Sequence, residues 1–222
     1  MPGRRHTFAI GLAVFTSGAV LLGLEIAASR VLAPFFGNSL FVWGALIGVV
    51  LAGLSLGYWA GGALADRIPA TRLLLAVLSL GALLVLAIPF VDGPVLEAVV
   101  GWNPGPRANP LVAAIALFGL PSIVFASVSP IAVRLLAVSV THVGRTAGRL
   151  FAISTAGSIA GTFATAFFLI PELGTDQLLG IAAAVLLAAV VLVAVVERLP
   201  AAAVLALLAT AGAGAAAWQL AP

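Results

Sequence analysis

Apolar stretches of helical length recur along the whole chain, separated by short breaks that carry the charges, prolines and polar residues. A bilayer hydrocarbon core of about 30 Å is crossed by roughly 20 apolar residues in helical conformation. The pattern predicts seven transmembrane helices, at about 8–32, 40–64, 72–91, 110–138, 147–170, 177–196 and 201–219. Pro34 and Gly37 end the first, Asp66 and Arg67 the second, and Pro171 the fifth. Asn103-Pro104-Gly105-Pro106 marks the stretch 92–109 as a loop, and Glu197-Arg198-Leu199-Pro200 reads as a tight turn. Pro121 and Pro130 interrupt the fourth segment and break its hydrogen-bond ladder. Arg4-Arg5-His6 and the run that follows also fit a signal peptide ending near Ala27-Ala28-Ser29. The run is long for that role, and it continues past Glu25 into further hydrophobic segments. The expected fold is therefore an all-α, polytopic membrane helix bundle, a single transmembrane domain over 1–222 with no soluble domain.

Composition sharpens this picture. The chain is 63% hydrophobic and 8% charged, whereas a soluble domain carries roughly 25% charged residues. Such a chain needs lipid as the solvent for most of its surface. The net charge of +3 does not point to nucleic acid, because the basic residues form no dense stripe. They flank the apolar segments, as membrane orientation requires. With the N-terminus in the cytoplasm, Arg4, Arg5, Arg67, Arg72, Arg134, Arg145, Arg149 and Arg198 fall on or near the inner side. Arg30 and Arg107 fall outside, with Asp92, Glu97, Glu172 and Asp176. The expected location is the cell (plasma) membrane, with the C-terminus outside if the seventh segment spans.

Few residues could carry chemistry. Cysteine is absent, which removes disulfides, thiolate ligands and cysteine nucleophiles. His6 and His142 have no metal-ligand spacing, and no Ser-His-Asp arrangement is visible. No metal or cofactor is expected. Glu25 lies inside the first apolar segment. A charged group there costs several kcal/mol to insert, so it should face the bundle interior or water. It could hold a cationic amine, carry a proton, or serve as a structural partner for Arg30 or for a serine on another helix. Arg30 is five residues on, about 140° around a helix, which makes a direct pair awkward. Ser154 and Ser158 on the fifth segment join Glu25 and Arg30 as candidate substrate-binding or proton-coupling groups.

Small residues at four-residue spacing let membrane helices approach closely. Gly53, Gly57 and Gly61 form one such ridge on the second segment, and Gly44, Gly48 and Ala52 form another. Gly157, Gly161 and Thr165 repeat the pattern on the fifth. Both segments are therefore expected in the bundle interior, with neighbours on more than one side. The ridges occupy matching positions if helices 1–3 and 4–6 are two three-helix repeats.

The run Leu22-Gly23-Leu24-Glu25, with Arg30, Pro34, Gly37 and Trp43, resembles the opening of the fused major-facilitator-like/spermidine synthase family. Gly61-Gly62-Ala63-Leu64-Ala65-Asp66-Arg67 is also similar to the helix 2–3 loop motif of major facilitator transporters. Ser129-Pro130 with Arg134-Leu135 fits the fourth helix of the family. Gly148-Arg149-Leu150-Phe151-Ala152-Ile153-Ser154-Thr155-Ala156-Gly157-Ser158-Ile159-Ala160-Gly161, followed by Pro171 and Gly174, is the most specific block. The resemblance covers about 20–176. It implies that the first six helices form one half of a major facilitator fold, with 3+3 repeats. It also implies that Asp66, Arg67 and Arg134 belong to a conformational loop motif. Two features depart from the family. The aminopropyltransferase domain of its fused members has no counterpart here, and Ser154 stands where the family often has Asn.

Two functions follow as expectations. One is a transporter-like domain linked to polyamine metabolism, moving spermidine, putrescine or a related amine, with Glu25 as the cation or proton site. The other is a non-transporting anchor for a spermidine synthase-like aminopropyltransferase on the same or a neighbouring chain. A six-helix half needs a second half to enclose a pathway, so transport implies a homodimer. An outside C-terminus conflicts with cytoplasmic aminopropyl transfer. Either the chain continues past Pro222, or the last segment does not span, or no enzyme domain is attached.

Overall fold

A computed structural model describes residues 3–137 and 143–198. Six helices in this part are long and apolar enough to cross a membrane: α1 (Arg4–Phe36), α2 (Leu40–Ala65), α3 (Ala70–Trp102), α4 (Ala108–Leu136), α5 (Val143–Glu172) and α6 (Thr175–Val196). No strand occurs among the described residues. The seventh expected segment, 201–219, lies outside them, as do His142 and Pro222.

Three helix boundaries have a clear local reason. Gly37, at φ 70°, ends α1, and Asn103, in the left-handed conformation, ends α3. Ser39 caps α2, its hydroxyl accepting from the Val42 amide. The predicted loop 92–109 shrinks, because α3 continues through Pro89, Gly93 and Pro94 to Trp102. Leu96 and Val99 are buried one turn apart in this extension, and their packing overrides the breakers. At 33 residues, α3 is roughly 50 Å long, more than a hydrocarbon core needs.

Pro121 and Pro130 do not divide α4 into separate helices. The chain widens into a π-helical turn over Ile115–Gly119, just before Pro121. It does the same over Ala164–Leu169, just before Pro171, and α5 runs on to Glu172. A proline ring crowds the carbonyl four residues back, and a π turn is one way for a helix to absorb that misfit.

Two of the helix pairs follow small residues rather than sequence order. α2 packs along α4, α1 along α5, and α3 against α6, while α1 also touches α6 and α3 touches α4. Gly53 lies on Ser122, Gly57 on Ile123 and Ala126, and Gly61 on Ser127. Residue numbers rise together in this seam, so α2 and α4 run parallel. Gly157 lies on the Phe15 backbone and Gly161 on that of Ala19, so α5 runs parallel to α1 in the same way. A methyl group on Gly61 would sit 2.7 Å from the Ser127 Cα, a distance only glycine permits.

The expectation that the second and fifth helices sit in the interior is corrected. Of their most apolar stretches, 39% is buried for α2 and 17% for α5, against 61% for both α1 and α4. The centre belongs to α1 and α4. Gly44, Gly48 and Ala52 face outward, and the two glycines have open space where a side chain would go. The Gly53–Gly61 ridge serves one seam only. α2 and α5 meet through Tyr58 and Phe151, whose rings lie edge to face at 5.8 Å.

Candidate functional site

Glu25 is half-buried on α1, the central helix. Its Cα lies about 30 Å along the helix axis from Arg4, toward the far end of a bilayer core. The ion pairs among the described residues are His6–Glu197 and Arg134–Asp66, so Glu25 does not pair with Arg30. Arg30 is exposed and lines a small cavity with Leu173 and Thr175, beside the α5–α6 connection. Glu25 also makes no hydrogen bond among the described residues. Two residues before it, Gly23 lies against Thr165 in the π turn of α5; a methyl group there would be 2.8 Å from the Thr165 hydroxyl. Thr165 is buried.

Ser154 and Ser158 lie elsewhere. The Ser158 hydroxyl donates to the Gly18 carbonyl at 3.2 Å, and the Ser154 carbonyl also abuts Gly18. Gly18 and Glu25 are seven residues apart, roughly 10 Å along α1. These serines belong to the α1–α5 seam, where Gly157 and Gly161 also pack, and not to the surroundings of Glu25.

The loop-motif residues come together in part. Asp66 caps the end of α2, and its carboxylate lies 3.4 Å from Arg134 Nε in the last turn of α4. This pair ties together two helices that already share the glycine seam. Both side chains are more than half exposed, at 60% for Arg134 and 75% for Asp66, so it contributes at most about 1 kcal/mol. Arg67 is exposed and outside this pair.

Sequence reasoning missed a second tie at the same end of the bundle. His6 Nε2 lies 2.8 Å from Glu197 Oε1, joining the start of α1 to the end of α6. Both side chains are mostly buried, and the other ring nitrogen, Nδ1, is buried without a partner among the described residues. Nothing in the local pattern links positions so far apart in sequence. The only available signal was a histidine beside an apolar run.

The apolar six-helix bundle, with a carboxylate inside its central helix, defines a multi-pass membrane protein. Among protein families, curated proteins and solved structures, none matches this chain.

Proposed function

We propose that the chain is a transporter-like membrane domain of polyamine metabolism, with Glu25 as its cation or proton site. The observation that carries this reading is a half-buried carboxylate on the central helix, with no ion-pair partner among the described residues. An intramembrane acid left unpaired by the protein is suited to a mobile cation or a proton. The amine class rests on the resemblance of the 148–161 block and of Leu22-Gly23-Leu24-Glu25 to the fused major-facilitator-like/spermidine synthase family.

The helix pairing supports a half-transporter architecture. Replace each helix by the one three places away, and the most extensive contacts map onto one another, although α1–α3 and α2–α3 have no such counterpart. The α2–α4 seam becomes α5–α1, the α1–α6 contact becomes α4–α3, and α3–α6 becomes itself. Two three-helix repeats of opposite topology have this property. The glycine ridges of α2 and α5 then hold equivalent places. On this reading the arginine-rich end faces the cytoplasm of the plasma membrane, and a second copy completes the pathway.

The test is spermidine and putrescine flux in proteoliposomes. Wild type should carry the amine, and Glu25→Gln should lose about tenfold or more of that flux, as loss of a charged contact would do. Circular dichroism should show the variant still helical. A wild type that binds an aminopropyltransferase in native membranes but moves no amine would select the anchor function instead. A variant that unfolds would make Glu25 a structural residue.

A further inference from the structure

Eight arginines cluster at the end of the bundle where α1 starts: Arg4, Arg5, Arg67, Arg72, Arg134, Arg145, Arg149 and Arg198. The acids at that end are Asp66 and Glu197, and both are engaged, by Arg134 and His6. Arg4, Arg145 and Arg149 thus have no carboxylate partner among the described residues. They surround one groove between the starts of α1 and α5. Its two lobes measure about 470 and 200 Å³ and share Thr7, Gly11, Arg149 and Ile153.

Two physical features ask for an anion here. First, α1 and α5 run parallel, so both present their N-terminal, partially positive ends at this groove. Neither has an acid in its first turn; α1 opens with Arg4 and Arg5, and α5 carries Arg145 there. Cations stacked on helix N-termini repel the helix dipole unless an anion intervenes. Second, Arg145, Arg149 and Ile153 follow at four-residue spacing and form one stripe along the groove.

The groove is also more than an anion pocket. Below the arginines it is lined by Phe8, Gly11, Leu12 and Phe15. From Arg4 to Phe15 is roughly 16 Å along the helix, too far for a single phosphate to fill. Phe8 is 68% exposed and Leu12 36%, so this wall opens toward the surrounding bilayer.

We infer that this groove binds an anionic phospholipid, with its phosphate held by Arg145, Arg149 and Arg4 and an acyl chain along Gly11, Leu12 and Phe15. Guanidinium groups suit phosphate oxygens because two donors engage at once. Basic clefts between membrane helices are suited to lipid headgroups. The Gly11 floor leaves room for the chain: a methyl group placed there meets only Ile153, at 3.8 Å. Bound lipid would bridge the one seam that fastens the peripheral α5 to α1.

Native mass spectrometry tests this on the full chain, purified from an equimolar mixture of dioleoyl phosphatidylglycerol and dioleoyl phosphatidylcholine. Wild type should retain phosphatidylglycerol preferentially. Arg145→Gln with Arg149→Gln should weaken retention about thirtyfold, near fivefold for each arginine. Gly11→Leu, which removes no charge, should also release the lipid by filling the chain track. Arg72→Gln, outside the groove, should change nothing. Equal loss in Arg72→Gln and the double variant would overturn the site, leaving a diffuse surface charge. Full displacement by inorganic phosphate, with Gly11→Leu unaffected, would overturn it in favour of a free-anion pocket. If the double variant does not fold, Gly11→Leu and the phosphate competition still decide.

Discussion

Gly48 and Gly57 lie half a revolution apart on α2, and their surroundings differ completely. At Gly57 a methyl group would strike the Ile123 carbonyl oxygen and come within 2.5 Å of the Ala126 Cβ; at Gly48 it would meet nothing within 4 Å. Gly57→Ala should therefore destabilise the protein by about 1–3 kcal/mol, because the α2–α4 seam must open. Gly48→Ala should be neutral or stabilising by up to about 1 kcal/mol, from helix propensity alone. Unfolding in mixed micelles measures both, and equal effects would refute the seam. Asp66→Asn should cost at most about 1 kcal/mol in the same assay, since its pair with Arg134 is exposed to solvent. The glycines themselves were conspicuous in the sequence. Which of the two α2 ridges bears a neighbour was not, because four-residue spacing shows that close approach is feasible without saying on which side it occurs.

Among the helices, α5 is held chiefly by α1, with lesser contacts to α4 and α2. Its small residues meet α1 through Gly157, Gly161 and the Ser158–Gly18 hydrogen bond, while most of its surface points outward. Gly161→Leu should push it off α1, because the Ala19 backbone occupies the space a side chain needs. In a Ser154→Cys background, alkylation at residue 154 should then rise, while the α2–α4 seam stays closed. Unchanged alkylation would mean that α5 is held by something other than this seam. The extension of α3 past residue 91 has the opposite lesson. The stretch 92–109, rich in Pro, Gly and Asn, reads locally as a loop, yet Leu96 and Val99 find buried places, and the helix continues. Local breakers lost to packing that the sequence does not display.

For the molecule as a whole, the alternation of spans carries the arginines to one end and leaves Arg30 and Arg107 at the other. A cysteine-free chain makes that testable with single substitutions. Ile68→Cys, between α2 and α3, should be labelled only from the cytoplasmic side by a membrane-impermeant maleimide. Pro106→Cys, between α3 and α4, should be labelled only from outside. Labelling of both from one face would dismantle the proposed orientation and the repeat scheme built on it.

Hydropathy and charge along the chain were enough to give the membrane class, six candidate spans and the charge asymmetry, because transfer into lipid is a local free energy summed along each segment. They also singled out Glu25, since an acid in an apolar run is costly wherever the helix packs. The central place of α1 and α4 emerged only from the packed bundle. The same packing paired His6 with Glu197 and Asp66 with Arg134, and moved Ser154 and Ser158 to a seam away from Glu25. It likewise gathered Arg4, Arg145 and Arg149 around one groove. In lipid every helix is apolar nearly all round, so hydrophobicity does not choose its neighbours. Backbone approach at small residues does, and that depends on two surfaces fitting together, which no single segment encodes.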